Sequence, residues 1–306
     1  MRVAIIGGTG FVGSYLTDAL LNSGYSVSML VRQGSESKLR QPEQVLIVNG
    51  DITDTDSIYR LLQACDAVIY NVGILREVPR KGATFESTQY EGLVNTIDAA
   101  VAAGVQRFLL MSANGAKIPG TRYQETKRRA EEYALKSGLD VTVFRPSVIF
   151  GDPRGAMEFS TQLLNQMVRP PIPAVRFFSG FNPKKDAVVM SPVHIKDVTR
   201  AFLTSLESQE CVGRTYVLGG PEVLSWTEMI SRIAAAKGCR KWFLPMPVIL
   251  MRTVARLFDW LPFFPVTRDQ LTMLEEGNVA DPEIMQALTG REATTFSIEH
   301  LNYLGK

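Results

Sequence analysis

Apolar positions in the first half of the chain come in short β-branched runs separated by amphipathic stretches. The runs at 2–6 (RVAII), 26–31 (SVSMLV), 45–50 (VLIVNG), 67–73 (AVIYNVG), 107–112 (RFLLMS) and 141–146 (VTVFRP) predict strands. Between them, 11–23, 55–64, 86–103 and 121–137 carry the helical period. Strands alternating with helices of this length predict right-handed βαβ units and a parallel sheet covered on both faces. Uninterrupted runs such as VLIV predict burial on both sides. The expected fold class is α/β, a doubly wound parallel sheet.

The rhythm changes after Pro146. Residues 151–192 are rich in Pro, Phe and Arg and show no period. The segment 192–206 (PVHIKDVTRAFLTSL) reads as a loop entering a helix, 215–220 (TYVLGG) as one more strand and 225–237 as a helix. The expected organisation is a dinucleotide-binding domain over 1–150, completed by 192–220. A smaller, mostly helical substrate lobe is expected from 151–191 and 221–306. No internal repeat interrupts this pattern.

Composition adds exclusions. A net charge of +2 leaves no field suited to a nucleic-acid partner. Cys65, Cys211 and Cys239 lack any CxxC spacing, and two histidines do not build an ordinary zinc site, so neither a disulfide framework nor a bound metal is expected. The first apolar run enters a glycine turn directly, unlike a secretory signal. The longest apolar stretch, 242–251 (WFLPMPVILM), contains two prolines and is too short to span a bilayer. A cytoplasmic location is expected.

GGTGFVG (7–13) follows a strand and opens a helix, the context that a Rossmann-type dinucleotide site requires. Gly7 serves the tight turn, Gly10 the approach of a pyrophosphate, and Gly13 the packing of helix on strand. NAD-selective sites carry an acidic residue near the end of the second strand. Arg32 stands there instead, followed by Lys38 and Arg40. An arginine suits a 2′-phosphate, so NADP(H) is expected in preference to NAD(H). The alternative for Arg32 is a solvated loop side chain. Asp51, in GDITD, is expected beside the adenine, and the NVG of 71–73 beside a ribose.

Tyr123 and Lys127 stand four apart and share one helix face. A nearby ammonium is expected to lower the phenol's pKa, ordinarily near 10, and to hold a ribose. The surrounding Arg128, Arg129, Glu131 and Glu132 suit a solvent-exposed helix face equally well. His194 and Asp197 are read as hydrogen-bonding residues at a loop–helix junction, and the cysteines as core.

GGTGFVG, GDITD, NVG, Tyr123-x-x-x-Lys127 and FRPSVIFGD occur in the order found in the short-chain dehydrogenase/reductase superfamily, in its extended and atypical branches. MSPVHIKDVTRAF, YVLGGPEVLSWTEMI and FFPVTRDQLTMLEEGNV resemble the branch containing the Rossmann-type accessory subunit of respiratory complex I and its bacterial relatives. The resemblance implies cofactor contacts at Gly7, Thr9, Gly10, Phe11, Val12 and Gly13. Further contacts are implied at Arg32, Asp51, Ile52, Val72, Gly73 and Lys127, with Pro146 and Ser147 flanking the nicotinamide. It also implies Tyr123 as catalytic base with Lys127 as its helper. Where extended members place a catalytic hydroxyl, this chain has Ala113, so Ser112 or Asn114 would stand in.

Three functions follow. The first is an NADP(H)-dependent oxidoreductase acting on a small apolar, quinone-related substrate. The second is a nucleotide-holding structural or assembly protein of a respiratory complex. The third is a nucleotide-sugar epimerase or dehydratase, against which the apolar second lobe argues. Residues 239–270 suggest a helix over Pro247–Leu261 with an apolar side, basic residues opposite and aromatic ends, a pattern suited to peripheral docking at the inner membrane. The alternative is the lobe's own core-facing helix.

Overall fold

The computed structural model describes residues 1–179, 182, 186–250 and 268–305. Six parallel-paired strands form most of one sheet: β1 (Arg2–Ile6), β2 (Ser26–Val31), β3 (Val45–Asn49), β4 (Ala67–Tyr70), β5 (Arg107–Met111) and β6 (Asp140–Pro146). With Thr215–Leu218 at the far edge, the sheet has seven strands in the order β3-β2-β1-β4-β5-β6 followed by that strand. The order reverses between β1 and β4. Ligands of open α/β sheets bind at such a switch point, beyond the strands' carboxyl ends.

The helices follow from their apolar faces and their caps. α1 (Phe11–Asn22) buries Leu16 and Leu20 completely, each contributing about 1.5–3 kcal/mol. α2 (Thr55–Leu62) starts at Asp54, whose carboxylate accepts from the Ser57 N–H. α3 (Gly92–Ala103) ends at Gly104 in the left-handed conformation. α4 (Arg122–Leu135) starts in a capping box in which Thr121 and Gln124 satisfy each other's backbone N–H groups. The expected start of α3 differs: Glu86–Glu91 is a π-helical turn, and regular helix begins at Gly92.

One strand departs from its expected environment. VLIV lies in β3 at the sheet's edge, where Leu46 is 54% exposed. The run is thus not covered on both faces along its length.

The chain divides into two compact units, Met1–Arg145 with Val198–Tyr216, and Pro146–Asp197 with Val217–Lys306. In the first, Phe108, Phe144, Tyr70, Leu93 and Ile97 are among the buried side chains of the core. In the second, Phe150, Trp226, Met229, Ile233 and Phe296 pack together. Its strands are short pairs: Ala174–Phe178 runs parallel to Phe243–Pro247, and Val189–Met190 antiparallel to Leu224–Ser225. The aperiodic stretch 151–192 thus contains strands the sequence did not reveal. The expected helix over Pro247–Leu261 lies mostly outside the described residues, and Pro247 itself ends a strand.

Candidate functional site

β1 delivers the chain into the turn at Gly7–Gly13, where the glycines are required for different reasons. Gly7 has φ +91°, and a Cβ there would lie 2.4 Å from the Asn71 carbonyl oxygen. A Cβ on Gly13 would lie 2.2 Å from the Gly7 oxygen. Gly10 has ordinary extended torsions, and the nearest atom to a Cβ there is 3.5 Å away. The fold therefore demands Gly7 and Gly13 but not Gly10, which leaves an open cradle beside the backbone. Gly10 caps α1 without any side-chain hydrogen bond, and no acidic residue stands in the first turn. The N–H groups at Phe11 and Val12, with the helix's positive end, could hold an anion such as a pyrophosphate. Thr9, in the same turn, is partly exposed.

Beyond β2, the Arg32 side chain is 72% exposed, with Nε 4.0 Å from Asp51 Oδ2. A surface pair of this length holds weakly, so the guanidinium is available to a stronger anion. Asp51 accepts from the Thr53 N–H and hydroxyl, both at 3.1 Å. Arg40 Nε lies 4.0 Å from Asp18 Oδ2. The Ile52 carbonyl accepts from Asn95 Nδ2 at 3.0 Å. Gly50 and Gly92 leave room for Ser57 and for the Ile52 side chain.

Asn71, Val72 and Gly73 follow β4. Lys127, on α4, reaches across the ends of two neighbouring strands: its Nζ donates to the Val72 carbonyl at 3.3 Å and to the Met111 carbonyl, at the end of β5, at 3.2 Å. Lys127 is only 5% exposed. Desolvation lowers its pKa to about 8, with Glu131 pulling the other way. Gly73 faces the ammonium, and a Cβ there would come within 3.3 Å of Nζ.

Tyr123 lies one helical turn before Lys127 and packs edge-on against Phe85, ring centroids 5.6 Å apart. The expectation of a lowered phenol pKa is corrected here. Burial pushes it up to about 12. In this state Tyr123 keeps its proton throughout the neutral range.

Ser112, expected to stand in for the missing hydroxyl, spends its proton on Glu131. That carboxylate also receives the Arg145 guanidinium, through Nε at 2.8 Å and a second, shorter bond from Nη2, and Arg128 at 3.5 Å. A hydroxyl already donating to a buried carboxylate is not free to polarise a substrate carbonyl. Ala113 supplies none.

Glu131 is the residue that sequence reasoning missed. Its charged neighbours resembled a solvated helix face, yet it is completely buried. The available signal was its spacing, four after Lys127 and so on the same side of α4. Gln89 was missed as well: buried in the π-helical turn, it donates through Nε2 to the Ile74 carbonyl at 2.8 Å and ties down the loop after Gly73.

Pro146 and Ser147 belong to the second unit. There Ser147 donates through Oγ to the Asn278 carbonyl and through N–H to the Leu218 carbonyl, both at 2.8 Å. Asp197 accepts from the Thr294 N–H at 2.7 Å, and His194 stacks edge-on with Phe150 at 5.0 Å. Burial lowers the His194 pKa to about 4. Both fit the junction role read from sequence.

Residues 7–169 match the family described as NAD(P)H-binding. Photosystem II assembly factor Ycf39 of Trieres chinensis is 26% identical over 281 residues, 91% of this chain and 82% of its own. The mitochondrial NADH dehydrogenase [ubiquinone] 1 alpha subcomplex subunit 9 of Arabidopsis thaliana is 26% identical over 290 residues, covering 90% and 68%. Ceramide reductase of Caulobacter vibrioides is 26% identical over 265 residues, covering 84% and 77%. Among solved structures, the Thermus thermophilus UDP-glucose 4-epimerase complex with NAD superposes with a TM-score of 0.73 over 100% of this chain and 98% of that one, at 20% identity. This last likeness is one of fold.

Proposed function

This chain belongs to the NAD(P)H-binding family, and we propose on that premise that it is an NADP(H)-dependent oxidoreductase acting on a small apolar substrate. The observation that carries the proposal is Lys127. A buried ammonium costs several kcal/mol unless a partner repays it, and here its direct partners are two neutral carbonyls. Packing does not call for an ammonium at that place; its three N–H donors suit the hydroxyls of a dinucleotide ribose.

The residues fit such a cofactor. The cradle at Gly10 and the N–H groups of Phe11 and Val12 would take the pyrophosphate, with Gly7, Thr9 and Gly13 shaping the turn. Arg32 would take the 2′-phosphate, Asp51 and Ile52 the adenosine, and Val72, Gly73 and Lys127 the second ribose. When bound, the nicotinamide supplies or accepts a hydride. Tyr123 holds a proton that it gives to a substrate oxygen, and Phe85 excludes water from one side of the phenol. Lys127 holds the ribose and offers a positive charge to the phenolate left behind. Acid help of this kind is worth roughly 10²–10⁴-fold in rate.

The apolar substrate class draws support from the relative named ceramide reductase and from exposed Trp242, Ile249 and Leu244 in the second unit. No helix among the described residues is long and apolar enough to cross a membrane. Peripheral docking at a membrane and association with a respiratory complex, suggested by the complex I relative, belong to the same proposal.

A second reading has its own support. With Ala113 at the hydroxyl position and Ser112 committed to Glu131, no hydroxyl at 112–113 is left to activate a substrate. A protein that holds NADP(H) without turnover satisfies the same geometry. Tyr123→Phe separates the two. On the oxidoreductase reading, the variant keeps NADPH affinity and loses at least 100-fold in the reduction of an apolar ketone or quinone. Tight NADPH binding with no reduction by the unsubstituted protein selects the holding role.

A further inference from the structure

A buried ammonium such as Lys127 is costly, and something must keep it charged where desolvation favours the neutral amine. Its nearest candidates are few. On α4 itself stand Tyr123, which is neutral, Arg128, and Glu131 one turn further on. From β6 comes Arg145. From the turn before α3 comes Glu86, which is occupied by a bidentate pair with Arg129 at 2.9 Å for both bonds. The strand ends that receive Nζ contribute only carbonyls. Glu131 is thus the one buried anion on the lysine's own helix face.

The surroundings of Glu131 are built to fix it. Its side chain is 1% exposed. It receives Ser112 from the end of β5, Arg145 from β6 and Arg128 from its own helix. Ser112 is the residue directly after Met111, whose carbonyl takes the lysine. One carboxylate therefore ties α4 to the same strand end that Lys127 grips. A carboxylate serving only to neutralise Arg145 would not need the Ser112 hydroxyl.

We propose that Glu131 is a positioning residue for cofactor binding: it holds α4 against the ends of β5 and β6 and keeps Lys127 in its ammonium form. This rests on the reading of Lys127 as the ribose-binding cation. Burial lowers the lysine's pKa and Glu131 raises it again, in keeping with that role. Arg145 limits the effect by sharing the carboxylate's charge, and Ser112 fixes its direction.

The test is the titration of Lys127 in the full chain, followed by NMR of ¹³Cε-labelled lysine and assigned by the signal lost in Lys127→Arg. In the unsubstituted protein the midpoint is expected near 8. Glu131→Gln is expected to lower it by about one pH unit, as removal of a close opposite charge does. The pH at which NADPH affinity begins to fall should move down with it. Glu131→Gln leaves Arg145 without its carboxylate, so Glu131→Gln/Arg145→Met, which removes both charges, serves as the second variant. It too should titrate below the unsubstituted protein, because Glu131, one turn from Lys127, is the charge that raises the lysine's pKa. A Lys127 midpoint unchanged in whichever variant folds overturns the proposal. Absence of NADPH binding overturns the cofactor reading alone, since the lysine's titration is measured without it.

Discussion

The glycine turn and the lysine site stand at the ends of adjacent strands and are built on opposite principles. The turn holds no charge. Its anion site is made of backbone, and the residues that make the fold (Gly7, Gly13) differ from the one that leaves room for a ligand (Gly10). The lysine site buries an ammonium and a carboxylate four residues apart on one helix, with a part-buried guanidinium on the carboxylate, and the same groups serve packing and chemistry together. Fold and function are separable in the first region and fused in the second.

The largest expected effect tests the fold side of the turn. Gly13→Ala places a methyl group 2.2 Å from a backbone oxygen, where neither partner is a flexible side chain. It should cost roughly 3 kcal/mol or more, at the upper end of overpacking penalties, measured by urea unfolding. Near-neutral stability would mean that α1 shifts freely against β1, and the distinction from Gly10 would collapse.

The lysine site should show itself in the pH dependence of stability. Lys127 binds its proton less tightly in the folded protein, at about 8, than in the unfolded chain, at 10.5. Between these values the unfolded chain holds more protons, so stability rises with pH across that window. The gain is on the order of 3 kcal/mol, from 1.36 kcal/mol per pKa unit. In Lys127→Met this rise should disappear, while NADPH affinity falls. A rise of unchanged size in the variant would assign it to another group.

Gly10→Ala sharpens the other side of the comparison with a smaller effect. The new methyl group meets nothing closer than 3.5 Å, so unfolding should move by less than about 1 kcal/mol, the usual range for a surface substitution. NADPH affinity should nevertheless drop at least tenfold, because the cradle is filled. Equal loss of stability in Gly10→Ala and Gly13→Ala would erase the separation.

The contrast also explains what the sequence made legible. Strand and helix positions and the glycine turn depend on local periodicity and on one residue type with a unique backbone range, so they could be read directly. The Tyr123–Lys127 pair was visible as spacing, but its electrostatics were not. The phenol's raised pKa comes from burial, to which Phe85 from a distant segment contributes, and the lysine's carbonyl partners Val72 and Met111 come from two other segments. Glu131 was hidden because its partners Ser112 and Arg145 come from other strands, and a buried charge in a run of charged residues looks like surface. Leu46 was misjudged for a related reason, since periodicity does not say which strand lies at an edge. The strands at 174–178 and 243–247 pair with each other across a long sequence gap, and prolines and aromatics mask their alternation.

The most direct measurement is a calorimetric titration of the purified protein with NADPH and with NADH, repeated on Arg32→Ala. The expected result is NADPH binding at least tenfold tighter than NADH, with the difference lost in Arg32→Ala, because an exposed guanidinium held by one weak ion pair is free to meet a 2′-phosphate. Failure of both nucleotides to bind, or equal affinities in both proteins, would contradict it.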